Sequence, residues 1–429
     1  MSTAKSVELL KRQHALEHTI SERAPFYPVL SLPTEIISEI LVHCLPHKPQ
    51  RFESSSPFTN LAPFLLLHVC RKWRAIATAI PRLWQTLRLD FYAIPLRFFD
   101  AENFESGLIK SEEQGKRVLA TLFDHLSPRL ERLTLDTSFA FYNHLSPTFP
   151  ILRQLSLGIE YDYDESDSPD GPEDPIQTFT AAPLLEEVCL CSYTLPQHFA
   201  LPWDALKVLS AEGIGTTDAV ETLRVSPSLI RCTLLETFRT PNNITPFSHP
   251  TLKSFDIENF DADYALFKVL ALPNLETLTI RHTRSSDMYH PHIIRFVSQL
   301  AASLHELSAP TVTLSLLQPL SRLTHIELYA PSTDFVSRFV DMLSRARYPS
   351  FLPHLQAVEL GNCEPSHVNQ SLVHALSSRA HGEAKLRSFR QTWDPQIQEI
   401  QVNWEEGDGL ALQRLRVETG MEIYVGASD

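Results

Sequence analysis

The 429-residue chain has room for about three domains, and its 37 Lys and Arg against 51 Asp and Glu leave a net charge of −14. That balance argues against a dedicated binder of nucleic acid or anionic membrane, which needs clustered cations. Only 12 glycines are present, under half the usual share of about 7%, so glycine-rich phosphate loops start at a disadvantage.

Six cysteines with no framework spacing and no C-x-x-C read as reduced packing residues. The first 25 residues carry no continuous apolar run, so neither a signal nor a transit peptide is expected. The most apolar stretch, 61–70, is about half a membrane span. These features imply a soluble protein of the cytoplasm, the nucleus or both.

Residues 5–22 have helical spacing through Leu9, Leu16 and Ile20, which predicts an N-terminal helix within residues 1–25, too short for a coiled coil. A helical unit follows over 26–91. Pro33 stands at a helix start, where its missing N–H costs nothing. Ile36, Ile37, Ile40, Leu41, Cys44 and Leu45 then form one apolar face. The segment 46–63, rich in proline and serine, is a loop. The helical period resumes from Ala62 through Leu65, Leu66, Val69, Cys70, Trp73, Ile76, Ala77 and Ile80, until Pro81 stops it. Arg71, Lys72 and Arg74 occupy its other side, and 92–127 read as a helical connector.

From residue 128 to the end a repeat dominates. Its unit is L-x-x-L-x-L with apolar variants, usually with proline two residues earlier, as in PRLERLTL from Pro128, PILRQLSL from Pro150, PLLEEVCL from Pro183, PSLIRCTL from Pro227, PTLKSFDI from Pro250, PNLETLTI from Pro273 and PHLQAVEL from Pro353. Weaker copies begin at Leu206, Leu304, Leu323, Leu386 and Leu412. Three successive intervals of 23 residues, from Leu206 to Leu275, fall within the span of roughly 20–29 that leucine-rich repeats use. The last two apolar positions of each unit alternate inward along a short strand. Helical stretches such as DYALFKVLAL and HIIRFVSQLAASL would form an outer layer. One unit cannot bury its apolar face alone, so stacking is required. An acidic loop at 162–174 interrupts the series and has the composition of a disordered insertion.

Chemical motifs are weak by comparison. Gly213 and Gly215 give G-x-G after a strand-like run, but the third glycine position is Asp218, where a pyrophosphate site needs donors. An ordinary repeat turn is favoured. Asp162, Asp164 and Asp167 lack the glycine and closing glutamate of a calcium loop. His14 with His18, and His290 with His292, lack a convincing third ligand. Cys189 and Cys191 fall on the exposed face of a strand without metal-site spacing. No G-x-S-x-G, H-E-x-x-H or P-loop occurs, so neither cofactor, metal nor catalytic residue is expected.

The helical unit carries a more specific signal. SLPTEIISEIL at 31–41, LLLHVCRKWRAIA at 65–77 and PRLW at 81–84 together resemble the F-box, in the form common in fungal F-box-like proteins. The Leu-Pro, the glutamate two residues on, the isoleucine/leucine helix and the Val-Cys-Arg-x-Trp segment match in order. The chain departs from the compact F-box in its longer loop at 46–63. This module and the repeat together predict a mixed α/β protein, with an N-terminal helical F-box-like module followed by a degenerate leucine-rich-repeat α/β solenoid. The resemblance adds what the first module would do: it implies docking to the Skp adaptor of Skp-cullin-F-box ubiquitin ligases, and through it to a cullin-RING ligase. Carried over by position, Leu32 and Pro33 insert at the contact, Glu35, Ile36 and Ile40 lie on the contacting helix, and Val69, Cys70 and Trp73 supply a second wall. Val69 and Trp73 suit a docking wall and an intradomain core equally, because both roles need the same residue types.

Charge divides the chain similarly, with 11 Lys and Arg against 7 Asp and Glu in residues 1–91, net +4, and 26 against 44 in the remainder, net −18. On expected exposed strand positions the acids Asp136, Glu187, Glu212, Asp256, Glu258, Glu306, Glu327, Glu359 and Glu418 outnumber Arg132, Arg231, Arg281, Arg390, Arg414 and Arg416. A solvated face explains them, yet such a surface also suits a basic segment of a protein substrate, with Asp256, Glu258, Arg281, Glu306, Glu327 and Glu359 as its candidate contacts. The resulting expectation is a non-catalytic substrate-recognition adaptor of a ubiquitin ligase. Its rivals are a non-ligase interaction scaffold and, less favoured, a nucleotide-dependent enzyme.

Overall fold

The computed structural model describes residues 32–45, 64–90, 97–98, 107–108, 112–137, 139–142, 147–159, 174–191, 194–237, 244–258, 264–281, 290–310, 312–363, 370–381, 385–393 and 408–427. The expected helix at 5–22, the loop at 46–63 and all of the acidic loop except Asp174 lie outside them. Two compact units emerge, residues 1–86 and 87–429.

In the first unit, helix α1 (Thr34–His43) opens on Pro33, which is the N-cap rather than the first helical residue. Its carbonyl accepts from the N–H groups of Ile36 and Ile37, both at 3.1 Å. The long helix expected from Ala62 to Ile80 is two helices, α2 (Phe64–Val69) and α3 (Arg71–Ala79). Cys70 breaks it: its backbone is extended, and its Sγ accepts from Trp73 N at 3.4 Å, capping α3. A 3-10 turn, Pro81–Trp84, closes the unit. Among the described residues, Ile37, Leu41, Leu66, Ile76, Ala77, Leu83 and Trp84 are its buried apolar ones. The indole of Trp84 is satisfied by donating to Ala77 O at 2.9 Å.

The second unit is mixed α/β, built on one open thirteen-stranded sheet whose spatial order is the chain order. Its strands are β1 (Thr86–Asp90), β2 (Arg132–Thr137), β3 (Gln154–Ile159), β4 (Glu187–Cys191), β5 (Val208–Glu212), β6 (Arg231–Leu235), β7 (Ser254–Glu258), β8 (Thr277–Arg281), β9 (Glu306–Ala309), β10 (His325–Tyr329), β11 (Ala357–Gly361), β12 (Ser388–Trp393) and β13 (Glu422–Ala427). All pairings from β2 to β13 are parallel and in register. The edges, β1 and β13, do not meet, so the sheet is not a closed barrel. Leu87, Arg88, Leu89 and Asp90, grouped by sequence with the preceding helical unit, belong here. The stretch expected to be a helical connector combines a short antiparallel pair, Arg97–Phe98 with Gly107–Leu108, and helix α4 (Glu112–Leu126).

The repeats combine three physical parts. The first, in six repeats with proline, is a tight turn in which the first leucine's N–H bonds the carbonyl three residues back: Leu130 to Ser127, Leu152 to Phe149, Leu185 to Ala182, Leu229 to Ser226, Leu275 to Leu272 and Leu355 to Leu352. Proline two residues before the leucine is therefore the second residue of this turn, where its fixed φ fits and no donor is needed. The second part is the leucine itself. Leu130, Leu152, Leu185, Leu206, Leu229, Leu252, Leu275, Leu304, Leu323 and Leu355 are all 0% exposed. The third part is the strand, whose alternate residues, such as Leu133 and Leu135 or Phe255 and Ile257, are buried.

Between leucine and strand, one residue per repeat extends the ladder. Backbone N–H to carbonyl bonds of 2.7–3.0 Å run through Glu131, Arg153, Glu186, Lys207, Ile230, Lys253, Glu276, His305, Thr324, Gln356 and Arg387. Several of these side chains alternate in sign and pair across strands: Arg153 with Glu186 at 3.6 Å, Glu186 with Lys207 at 2.5 Å, and Lys253 with Glu276 at 2.8 Å.

The connections change character along the chain. Between β2 and β5 their described parts include a four-residue helix, Phe139–Tyr142, and two 3-10 turns, Pro196–His198 and Trp203–Ala205, alongside a cluster of buried rings, with Phe123 5.8 Å from Phe149, Phe149 5.4 Å from Phe179 and Tyr142 5.1 Å from Phe199. Beyond β5, helices α5 (Thr216–Val225), α6 (Ala265–Val269), α7 (Pro291–Gln299), α8 (Thr333–Leu343) and α9 (Gln370–Arg379) predominate. Arg379, 0% exposed, donates to the carbonyls of Leu343, Leu352 and Phe351 at 2.6, 2.7 and 2.5 Å. It thereby ties the end of α8 to the following turn, where Leu352 O also accepts from Leu355 N.

One repeat assignment is corrected. LQRLRV from Leu412 lies in helix α10 (Asp408–Thr419), and the last strand is β13. Leu412 and Leu415 are buried while Val417 is 84% exposed, because an i, i+3 spacing shares one face of a helix as readily as it begins this repeat. Arg414, Arg416 and Glu418 are accordingly helical, not strand-face, residues.

Candidate interaction surfaces

The first candidate surface belongs to the N-terminal unit. The apolar face expected for α1 divides in two. Ile37 and Leu41 are 0% exposed, whereas Ile36, on the neighbouring strip with half-buried Ile40, is 49% exposed. Val69, at the end of α2, is 55% exposed. Pro33 and Glu35 are exposed, Leu32, Cys70 and Trp73 half-buried. Glu35 sits in the first turn of α1, where the helix dipole favours its charge. The indole Nε1 of Trp73 is buried and finds no acceptor among the described residues, an arrangement that ordinarily costs about 1–3 kcal/mol. Val69 is thus outside the unit's core, and Trp73 lies at its margin.

The second candidate surface is the solvated face of the sheet. Register places one row across it: Thr134, Ser156, Cys189, Ser210, Thr233, Asp256, Thr279, Ser308, Glu327, Glu359, Arg390 and Tyr424. Its first five members are small and polar; charge begins at β7. All six acidic and basic candidates lie on this face, but they are not equivalent. Arg281 donates to Asp256 Oδ2 at 2.8 Å, while Asp256 Oδ1 is buried without a hydrogen bond among the described residues. Burial accordingly raises the Asp256 pKa despite Arg281, with the Glu258 charge acting in the same direction. Thr277 donates to Glu306 at 3.2 Å, and Arg390 approaches Glu359 to 3.6 Å. Glu327 is exposed between Ser308 and Glu359.

Sequence reasoning missed two aromatic members of this face. Tyr329, two residues beyond Glu327, is 58% exposed, and Tyr424 is 42% exposed with the Arg390 guanidinium 5.4 Å from its ring centre. Their signal was strand parity relative to buried neighbours. In the other direction, Asp136 is only 6% exposed. Its carboxylate folds over Gly158, where a Cβ would lie 1.8 Å from Oδ1.

The remaining motifs have structural settings. Gly213 has φ of 66°, where glycine is at ease, and Ile214, Gly215 and Thr216 are buried at the start of α5. The helix terminus therefore offers no open seat for a phosphate. His290 stacks on Tyr264 at 3.8 Å, and its Nδ1 accepts from His292 N at 3.3 Å, capping α7. No group of three or more His, Cys, Asp or Glu poised to hold a metal occurs among the described residues. None of their helices is long and apolar enough to cross a membrane. No family model matches the chain, and no curated protein matches it.

Proposed function

We propose that the chain is a non-catalytic substrate-recognition adaptor of a Skp-cullin-F-box ubiquitin ligase, acting in the cytoplasm, the nucleus or both. Its N-terminal unit serves as an F-box-like module that docks the Skp-type adaptor. Its sheet unit serves as a degenerate leucine-rich-repeat solenoid that selects a protein substrate carrying a basic segment. The mechanism is proximity, which raises the effective concentration of a substrate lysine at a ubiquitin-charged enzyme held elsewhere in the assembly.

The observation that carries this reading is the outward apolar strip of α1 with Val69, since Ile36 and Val69 are about half exposed. Aliphatic groups left uncovered beside a satisfied core are what a docking partner covers. The supporting observation for substrate binding is the mixed charged and aromatic sheet face, with exposed Glu306, Glu327, Arg390, Tyr329 and Tyr424.

Capture of a purified Skp-type adaptor by the full chain tests the proposal. Wild type is expected to retain the adaptor, and Ile36→Asp with Val69→Asp to weaken retention by at least tenfold, the loss of about 1.4 kcal/mol or more. Both positions are exposed, so the melting temperature is expected to stay unchanged. An adaptor that does not bind wild type, or binds both equally, contradicts the reading and leaves a non-ligase scaffold.

A further inference from the structure

The alternation of side chains along β4 brings together two thiols that the proposed function does not use. Cys189 and Cys191 are same-face residues of β4, and their sulfurs are 3.5 Å apart. Ser156 and Ser210 stand opposite Cys189 on the two adjoining strands. Ser156 Oγ lies 3.6 Å from Cys191 Sγ. Gly158 is opposite Cys191, and the carboxylate of Asp136 covers that glycine.

The two sulfurs are chemically unequal. Hydrogen bonds from Cys191, then Ser210 and Ser156, draw the Cys189 thiol down to about 7, against its burial and the Glu212 charge. Cys191 is pushed strongly upward by donating that bond, by burial and by the negative charges of Cys189 and Asp136. Cys189 is half-buried while Cys191 is 8% exposed. The more accessible sulfur is thus the one that ionises, with a protonated partner beside it. This is the arrangement of a nucleophilic cysteine with its resolving cysteine.

We propose that Cys189 and Cys191 form a peroxide-oxidised dithiol site on the sheet face, closing to an intrastrand disulfide that small thiols reopen. The Cys189 thiolate attacks one oxygen of hydrogen peroxide; an S–O bond forms, the O–O bond breaks, and the departing hydroxide takes a proton and leaves as water. The Cys191 sulfur then attacks the sulfenic sulfur of Cys189. An S–S bond forms, the S–O bond breaks, and the hydroxyl leaves as a second water with the Cys191 proton. Two electrons pass from the sulfurs to the peroxide. Same-face neighbours on an extended strand hold their Cβ atoms about 6.6 Å apart, beyond the roughly 3.5–4.5 Å a disulfide allows, so closure requires the strand to bend at Leu190, and the closed form is strained and readily reduced.

Differential alkylation of the full chain tests this site. Reduced protein is treated with hydrogen peroxide at neutral pH, the remaining thiols are blocked with iodoacetamide, and the peptide containing both cysteines is weighed. Wild type is expected to give an unalkylated peptide two hydrogens lighter than the reduced one, monomeric on a non-reducing gel and restored by excess glutathione. Cys191→Ser is expected to stop at a sulfenic acid on Cys189, trapped by dimedone about tenfold more than Cys44, an exposed thiol. Cys189→Ser is expected to leave Cys191 alkylatable. Alkylation of both wild-type cysteines after peroxide, an intermolecular disulfide, or dimedone labelling of Cys189 no greater than that of Cys44 overturns the proposal.

Discussion

His198 packs edge-on against Phe139 at 4.9 Å, is 6% exposed, and accepts the Leu195 N–H through Nδ1 at 3.4 Å. Its setting favours the neutral ring, and burial lowers its pKa to about 4. A histidine whose folded pKa is depressed stabilises the fold above its unfolded pKa of about 6.5, and this stability is lost as pH falls toward the folded value. Denaturant unfolding is therefore expected to show stability falling between about pH 6.5 and pH 4, with His198→Asn removing part of the slope. Equal slopes in wild type and variant contradict this assignment. Such residues leave little trace in a sequence. His198 and the fully buried Arg379 belong to no repeat motif, because their partners are ring edges and backbone carbonyls that only the folded chain assembles.

At the scale of elements, the repeat divides labour between a turn that is pre-set and a leucine that is buried. Pro227 occupies the turn and Leu229 the core. Leu229→Ala is expected to cost about 2–5 kcal/mol through lost burial and a cavity. Pro227→Ala is expected to cost only about 0.4–1 kcal/mol, mainly by loosening the unfolded chain. Urea titration of both variants measures the contrast, and equal losses contradict the division. This element was plain from the chain itself: period, proline offset and inward alternation placed eleven strand-bearing repeats, from Leu130 to Leu386. Two kinds of feature escaped. LQRLRV satisfied the pattern but folded as helix, since its leucine spacing serves both structures and its valine found no core to enter. The ladder from Glu131 to Arg387 was also missed, because its regularity lies in backbone bonds while its side chains range from Arg to Ile. The ion pairs that decorate it are exposed and each contributes at most about 1 kcal/mol.

At the scale of the whole molecule, the net charge acquires a location: residues 1–91 carry +4 and the remainder −18. The chain divides at nearly the same place into a small helical unit and a parallel-sheet unit. The scarcity of glycine fits a sheet whose recurrent turns use proline, with glycine kept for positions such as Gly213 and Gly158. Candidate surfaces were harder to read than the fold. Periodicity identifies which α1 residues are apolar, but Ile36 and Ile37 differ by one position and one faces outward. Strand parity placed Glu306 and Glu327 on the solvated face, while on the same face the bare Gly158 let the Asp136 carboxylate lie down over it and become buried.

The central claim is that the outward strip of α1 and the end of α2 receive a Skp-type adaptor while the sheet face stays free for a substrate. Hydrogen exchange of the full chain, with and without purified adaptor, tests it most directly. The expected result is slowed exchange in residues 33–45 and 64–80, with the strands from β7 to β12 unchanged. Slowing confined to those strands, or none anywhere at saturating adaptor, would contradict the claim.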